Sequence, residues 1–449
     1  MAGLNAPSGT RLGAALLAGA ALLPRPASAA DAGCPPPRGG ALAEVGAELC
    51  RALHPLPAGT LAVGSSATSD AALSPPDQLE RRVTRVVAGA LGVEAAPDLA
   101  PLGRARALAS DRGSLLHVGL ELRQGKLRVT AELYPVARGF WDRVRVPNPE
   151  PRRRAFTEVT IDAELRAFLP AVPLVAKRID RAAAEEPLPL AVACGDTDAD
   201  GAQEIVLVGR HRIRVGRIRK ERFTALRTLA WADLSPLSRT PLRQPLGSAW
   251  IATNGDTDIG ISDRLDAIRL SATPGAPLKL GRRVPWPAGG CSPLTGLAIR
   301  AEIGPCIVGD PAPLAAGFSG EVDALAGSTH VTRRGDKTVV RAARLANQGV
   351  VVLRDATGRQ ARLDGAGAQL AIADLDDDGE PELISTVDTL EPSADALLVH
   401  TWRDDGTLQQ RLRVPVPSGV HAIATCARED TASIKPIVVA TANAVWVLR

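Results

Sequence analysis

Aromatic side chains are scarce in this chain of 449 residues, at 3% of the total, and Tyr134 is the single tyrosine. Protein surfaces that hold sugar rings use exposed aromatics, so the composition argues against an adhesive or carbohydrate-binding face. No apolar run reaches the roughly eighteen residues that a membrane-spanning helix needs, and we expect no transmembrane helix. The formal net charge is only +4, so we expect no nucleic-acid partner.

Sequence motifs of common catalytic sites are also missing. The chain has no Gly-x-Ser-x-Gly, no His-Glu-x-x-His and no glycine-rich phosphate loop, and its six histidines are scattered. No Cys-x-x-Cys occurs, which leaves a zinc or thioredoxin-like site without support. We therefore expect a protein that is not an enzyme, although residues distant in sequence can still meet in space.

The first thirty residues have the pattern of a secretory signal peptide. A polar start is followed by the apolar run Leu12–Leu23 and by small residues that end at Ala30. We therefore expect an exported protein, periplasmic or extracellular. Lipoprotein anchoring at Cys34 is an alternative, but Asp31 stands where a lipobox normally has leucine. The six cysteines of the remaining chain favour disulfides, and fifteen pairings are possible.

Residues 31–175 predict a mixed α/β domain of the kind found in envelope proteins. Apolar residues at helical spacing favour helices over Ala41–His54, Pro76–Leu91 and Glu158–Phe168. Alternation favours a strand over Gly59–Ser66 and a hairpin formed by Ser114–Leu122 and Lys126–Pro135. We expect an antiparallel or mixed sheet with the helices on one face.

Residues 176–449 lose helical periodicity and contain short apolar runs separated by Gly, Asp and Pro. Three segments repeat a strand, a polar loop and a strand, and two further segments share this pattern more weakly. They are Leu190–Gly209, Leu370–Thr386 and His421–Thr441, with weaker copies at Ala249–Leu270 and Thr295–Asp310. Repeats of this size predict an all-β propeller of five to seven blades, with six favoured.

Two of the repeats contain the pattern Asp-x-Asp-x-Asp-Gly-x-x-Glu. Alternate residues of a tight loop point to one side, so positions 1, 3, 5 and 9 converge, and position 7 can offer its backbone carbonyl. Oxygen ligands without Cys or His favour Ca²⁺. The candidate ligands are Asp196, Asp198, Asp200, Ala202 and Glu204 in the first loop, and Asp374, Asp376, Asp378, Glu380 and Glu382 in the second.

An EF-hand is the rival interpretation of these loops. It needs a bidentate Glu at position 12 and flanking helices, whereas position 12 is Leu207 or Ser385 and the surroundings are strand-like. The remaining alternative is an acidic hairpin turn that holds no ion.

The segments GDTDADGAQEIVLVG and ADLDDDGEPELIST resemble the FG-GAP and VCBS-type repeats. The resemblance covers roughly residues 188–449 and implies an integrin-like β-propeller with calcium between the first two strands of a blade. Asp256-x-Asp258 departs from the pattern, since Gly260 replaces the third Asp and Arg264 takes the closing position, and the 428–436 loop keeps only Asp430. We expect no calcium at either. Residues 41–140 are similar in pattern to the amino-terminal α/β domain of TolB-type envelope proteins.

Alignment of the repeats places Cys194 and Cys426 at one position of the first and last blades, which are neighbours in a closed propeller. We therefore hypothesise a Cys194–Cys426 disulfide, and with it the short-range pairs Cys34–Cys50 and Cys291–Cys306, each closing about fifteen residues.

We expect a calcium-binding platform for an unknown protein or polysaccharide partner in the envelope or outside the cell. A polysaccharide lyase or hydrolase with its site at the propeller mouth is the main alternative, and an adhesion or carbohydrate-binding protein is the other. The basic stretch Arg210–Arg222 is either a face for an anionic ligand or a solvated outer strand.

Overall fold

The computed structural model of the chain describes residues 33–37, 39–65, 77–123, 125–137, 139–145, 149–184, 188–238, 245–273, 275–295, 298–308, 310, 318–346, 348–430 and 432–449. The expected signal peptide, residues 1–30, lies outside these ranges. No helix among the described residues is long and apolar enough to cross a membrane.

The amino-terminal part is an α/β unit around one mixed sheet of order β2-β1-β3-β4-β5. β1 is parallel to β2 and β3, and β3, β4 and β5 are antiparallel. Its elements are α1 (Ala41–Leu53), β1 (Thr60–Gly64), α2 (Gln78–Leu91), β2 (Glu94–Ala95), α3 (Leu102–Leu108), β3 (Ser114–Arg123), β4 (Lys126–Pro135), α4 (Phe140–Arg145), β5 (Arg153–Thr160) and α5 (Ala163–Arg166).

Two expectations for this unit were wrong. The helix predicted over Glu158–Phe168 is instead the end of β5 followed by the single turn α5. The cause is the alternation of buried Ala155, Thr157 and Val159 with exposed neighbours, which is the period of a strand. The helices also lie on both faces of the sheet. α1 and α2 pack on one face, whereas Ala105 of α3 packs with Leu61 and Leu115 on the other.

Among the described residues, the carboxy-terminal part consists of β-strands, one short α-helix and a 3-10 turn over Pro392–Ala394. The elements are β6 (Ile179–Ala183), β7 (Ala191–Gly195), β8 (Glu204–Val208), β9 (Arg212–Arg219), β10 (Arg222–Ala230), α6 (Trp231–Leu234), β11 (Gly247–Ile251), β12 (Thr257–Ile261), β13 (Ala267–Leu270), β14 (Leu278–Gly281), β15 (Arg283–Pro285), β16 (Cys291–Thr295), β17 (Ala298–Arg300), β18 (Glu321–Val331), β19 (Lys337–Leu345), β20 (Val350–Asp355), β21 (Gln360–Asp364), β22 (Ala366–Ala373), β23 (Glu382–Val387), β24 (Ala396–Trp402), β25 (Leu408–Pro415), β26 (Ala422–Thr425), β27 (Ile437–Ala440) and β28 (Ala444–Leu448).

Most of these strands form antiparallel groups of four neighbouring strands, here called rows. The rows are β7–β10, β11–β14, β18–β21, β22–β25, and β26–β28 completed by β6. The last row therefore joins both ends of this part, because Ile179 pairs with Leu448. β15, β16 and β17 form a smaller group next to β18. Hydrophobic clusters lie within and between the rows, and the break from the cluster of the α/β unit falls between Leu169 and Val172.

The first strands of the rows surround a central cavity. β7 contacts β11 and β26, β11 contacts β15, and β18 contacts β22, which contacts β26. Residues of β7, β11, β18, β22 and β26 line the cavity, together with Pro287 and Ala288 just after β15. Antiparallel rows arranged around one centre are the architecture of a β-propeller.

Most of the repeats expected from the sequence correspond to pairs of strands in the structure, and one does not. Four of the five copies contain the two expected strands, since Ala249–Leu270 spans β11 to β13. The copy at Thr295–Asp310 is wrong: beyond the last residue of β16 its described residues form only the strand β17. That segment is instead tied back by the Cys291–Cys306 disulfide and by backbone hydrogen bonds between Cys291 and Gly304.

Candidate metal centres

The two acidic loops connect the first and second strands of their rows and share one backbone conformation. The first loop (residues 196–204) joins β7 to β8, and the second loop (residues 374–382) joins β22 to β23. The glycines at position 6 have φ of +84° at Gly201 and +85° at Gly379. Position 4 is also left-handed, with φ of 59° at Ala199 and 57° at Asp377. Glycine tolerates this region and other residues rarely adopt it, so the turn has the same requirement in both loops.

Three carboxylates converge in each loop. Oxygens of Asp196, Asp198 and Glu204 lie within 4.8 Å of one another, and so do oxygens of the second loop's equivalents, Asp374, Asp376 and Glu382. Positions 1, 3 and 9 therefore come together, whereas the carboxylate at position 5, also expected to converge, belongs to neither cluster.

The predicted carboxylate ligands at position 5 have other contacts in this structure. Asp200 Oδ1 and Asp378 Oδ1 each accept a hydrogen bond, at 2.8 Å, from the backbone N–H of the residue at position 7. Those residues are Ala202 and Glu380, and the Glu380 carboxylate pairs with Arg403 at 3.0 Å.

The carboxylates of the first loop are satisfied by the protein itself. Asp196 accepts hydrogen bonds from the N–H groups of Asp200 and Gly201. Glu204 Oε2 accepts from the backbone and the hydroxyl of Thr197. The guanidinium of Arg217 binds two carboxylates of the loop. Its Nη2 lies 2.9 and 2.7 Å from the two oxygens of Asp200, and its Nε lies 2.5 Å from Glu204 Oε1.

The second loop is more deeply buried and leaves one oxygen unsatisfied. Asp374 is 2% exposed and Glu382 is fully buried. Asp374 Oδ2 accepts from Gly379 N–H at 3.0 Å, but Oδ1 is buried with no hydrogen-bond partner. Glu382 accepts from the N–H of Leu375 and the hydroxyl of Thr401. A buried carboxylate oxygen without a donor costs free energy that a bound cation would offset.

Protonation equilibria reflect this difference between the loops. Burial raises the pKa of Asp374 to about 7 and the pKa of Asp376 to about 6, and the neighbouring carboxylate of Asp378 adds to both shifts. Burial also raises the pKa of Glu382 well above its usual value. In the first loop the hydrogen bond from Arg217 lowers the pKa of Asp200 instead. The second cluster therefore holds its negative charge only at a cost, which a divalent ion would reduce.

Basic side chains surround the second loop, and the ion pairs described there are made by Asp377, Asp378 and Glu380 rather than by the three converging carboxylates. Arg428 and Lys435 contact Asp377 at 2.6 Å each, and Arg333 contacts Asp378 at 2.9 Å. Oxygen donors with no Cys or His suit a hard cation such as Ca²⁺. Asp374, Asp376 and Glu382 thus fit a metal ion in chemistry, in convergence and in the unsatisfied oxygen of Asp374.

The two loops that depart from the acidic pattern, around Asp256–Arg264 and at residues 428–436, make other contacts. Asp258 lies inside β12, where it pairs with Arg269 at 2.6 Å, and Arg264 follows that strand and donates to the carbonyl oxygen of Ser235. The loop that follows β26 contributes Arg428 to the second loop, and its Asp430 accepts from the N–H groups of Ala432 and Ser433.

The contribution of Arg217 and Arg428 was missed by sequence reasoning. Arg217 belongs to the basic stretch 210–222, which was interpreted as a ligand face or a solvated strand. Its neighbour Gly216 pairs with Ile205, which brings Arg217 beside Glu204. Only the strand register carries this information.

The cysteine pairs are those hypothesised from the repeats. Disulfides join Cys34 to Cys50, Cys194 to Cys426, and Cys291 to Cys306. The Cys34 sulfur is therefore not available for a lipid anchor in this state. Three disulfides indicate an oxidising environment, as in exported proteins.

Comparisons with known proteins give only distant likenesses. No family model and no curated protein matches the chain. Among solved structures, TolB from Acinetobacter baumannii is 11% identical, with a TM-score of 0.35, over 80% of this chain and 94% of that one. Virginiamycin B lyase from Staphylococcus aureus is 9% identical, with a TM-score of 0.34, over 60% and 98%. An aldose sugar dehydrogenase from Streptomyces coelicolor, in its PQQ-bound form, is 13% identical, with a TM-score of 0.38, over 61% and 97%. TolB and the lyase are β-propeller proteins, and at these values the likenesses carry no conclusion about function.

Proposed function

We propose that this chain is an exported, non-enzymatic β-propeller protein that binds Ca²⁺ in its acidic loops and serves as a binding platform in the envelope or outside the cell. The observation that carries the proposal is the second loop. There, three carboxylates converge, of which Asp374 and Glu382 are buried and Asp376 is half-buried, and Asp374 Oδ1 has no donor. Bound Ca²⁺ would supply the missing positive charge and stiffen the turn between β22 and β23.

The propeller is of the FG-GAP or VCBS type in this proposal, with an α/β domain before it. Five rows of four strands would be full blades, and β15–β17 would be a reduced sixth blade between β11–β14 and β18–β21. The contacts of β15 with β11, and of Pro287 with Gly327 of β18, support that position in the ring. The break between hydrophobic clusters falls between Leu169 and Val172, a few residues before the expected boundary near residue 175.

The central cavity supports a platform more than an enzyme. Its described lining consists of small, apolar and hydroxyl-bearing residues with one aromatic, Trp250, and includes no carboxylate, histidine or other ionisable catalytic group. A polysaccharide lyase or hydrolase would need such groups at the mouth of the propeller. The partner in the proposal is a protein or a polysaccharide of the envelope.

Calcium binding is tested by thermal unfolding and titration calorimetry of the full chain, with Ca²⁺ and with chelator. At about one hundred times Kd, one site adds about 2.7 kcal/mol to the free energy of unfolding. Asp376→Asn should lose most of the calcium-dependent increase. Asp404→Asn is the matched control, because Asp404 is an exposed acid of a turn outside the loops. A midpoint that is the same with Ca²⁺ and with chelator, with no binding heat, would refute the proposal.

A further inference from the structure

Arg217 stands in the first loop where the second loop has a neutral residue. In the row of the first loop, Ile205 pairs with Gly216, so Arg217 lies next to Glu204. In the row of the second loop, Glu382 pairs directly with Thr401. Arg217 and Thr401 therefore hold equivalent positions opposite the closing Glu. One supplies a full positive charge and the other a hydroxyl that donates to Glu382 Oε1 at 3.0 Å.

The guanidinium of Arg217 bridges position 5 and position 9 of its loop. It binds both oxygens of Asp200 and one oxygen of Glu204. A fork of this kind matches carboxylates in geometry and is among the stronger ion pairs. In the second loop the equivalent bridge is absent among the described contacts, since Asp378 pairs with Arg333 from a neighbouring row and Glu382 with Thr401.

A metal ion in the first loop would meet this charge at close range. Glu204 is one of the three carboxylates that converge there, and Arg217 already uses one of its oxygens. The guanidinium must move away or share Glu204 with the ion, and like charges at such a distance repel. The Arg217 side chain is 22% exposed, so it can move toward solvent. It therefore competes with the ion for the carboxylates and does not block the site permanently.

We propose that Arg217 is a built-in cation that competes with Ca²⁺ in the first loop, so that two loops of nearly the same sequence differ in metal affinity. The second loop, closed by Thr401, is the high-affinity site, and the first is a weak site because Arg217 already occupies Asp200 and one oxygen of the closing Glu204. This inference rests on the proposed calcium function for the affinity of the second loop, but not for the effect of Arg217 on the first.

The experiment is calcium titration calorimetry of the full chain in an Asp376→Asn background, where binding reports mainly on the first loop. Arg217→Thr, which copies Thr401, should tighten that binding at least about tenfold, or about 1.4 kcal/mol. Arg219→Thr is the matched control, because Arg219 is exposed on the same strand, and it should leave the affinity unchanged. The reciprocal Thr401→Arg in the wild-type chain should weaken the high-affinity site by a similar factor. Circular dichroism verifies that each variant is folded.

The outcomes separate the two proposals. Equal affinities for Asp376→Asn with and without Arg217→Thr overturn the role of Arg217, whatever the wild type does. Two tight sites of equal affinity in the wild type also overturn it. A wild type that binds no Ca²⁺ while Arg217→Thr gains one site refutes the proposed function of the second loop and supports the inference about the first. Binding by neither protein refutes both.

Discussion

Arg428 donates from Nε to Oδ2 of Asp377 at 2.6 Å, and the two side chains are 1% and 4% exposed. Lys435 contacts the other oxygen of Asp377, also at 2.6 Å. Asp377 belongs to the second acidic loop, and both cations belong to the loop of the following row. A buried carboxylate thus joins two neighbouring loops and is not available as a metal ligand.

Replacing this carboxylate should destabilise the protein strongly. Asp377→Asn keeps a residue that tolerates the left-handed backbone at this position, where φ is 57°, but it removes the carboxylate that both Arg428 and Lys435 contact. Removal of one partner of a buried pair typically costs about 3–5 kcal/mol. Urea unfolding measures the loss, with Asp404→Asn as an exposed control. A loss below about 1 kcal/mol would mean that the pair contributes little.

The Cys194–Cys426 disulfide should stabilise the chain more than Cys291–Cys306 does. The first pair closes a loop with a sequence separation of 232, the second one of 15. Chain entropy alone then gives about 5 kcal/mol against about 3 kcal/mol. Paired Cys-to-Ala variants of each disulfide, compared by urea unfolding, check the order. If the loss were larger for the short loop, ring closure would not be the main effect of the long one.

His330 should make stability fall in mild acid. Its side chain is 8% exposed and its Nδ1 has no hydrogen-bond partner. Burial lowers its pKa from 6.5 to about 4, and the charges of Lys435 and Arg359 add to this. Above pH 6.5 both folded and unfolded states are neutral, so the residue contributes no pH dependence. Between about pH 6.5 and 4 the unfolded state takes up the proton first, and stability is lost as pH falls.

The loss assigned to His330 reaches about 3 kcal/mol at most. Unfolding free energies of the wild type and His330→Gln, measured from pH 7.5 to 4.5, isolate it from the acidic loops, which both proteins share. The variant should have the shallower pH dependence. His211→Gln changes an exposed histidine and should follow the wild type, and parallel curves for all three proteins would contradict the prediction.

The sequence was most informative where a physical requirement recurs at fixed spacing. The glycines at position 6 and the acids at positions 1, 3 and 9 located both loops, and the aligned repeats paired Cys194 with Cys426 correctly. It was least informative where strand register decides. The sequence shows an acid at Asp377 where the first loop has Ala199, but it does not show that Arg428 and Lys435 of another row contact this acid. Likewise, the exchange of Thr401 for Arg217 becomes visible only when the strands are paired.

The equivalent glycines Gly379 and Gly201 offer a test of how tightly the second loop is packed. Both have positive φ, at +85° and +84°, so alanine should cost each of them about 1–2 kcal/mol of backbone strain. A Cβ at Gly201 would meet nothing within 4 Å. At Gly379 it would lie 2.9 Å from the backbone nitrogen of Arg333 and 3.3 Å from Cβ of Ala163 in α5.

Gly379→Ala should therefore destabilise the chain by about 1–3 kcal/mol more than Gly201→Ala. The excess arises because the new methyl group must displace the turn that holds Arg333 or the helix α5 of the α/β unit. Urea unfolding in chelator measures it without any contribution from metal. Equal losses for the two variants would mean that the second loop yields without disturbing the α/β unit, whereas the expected excess would make that unit part of what holds the acidic cluster in place.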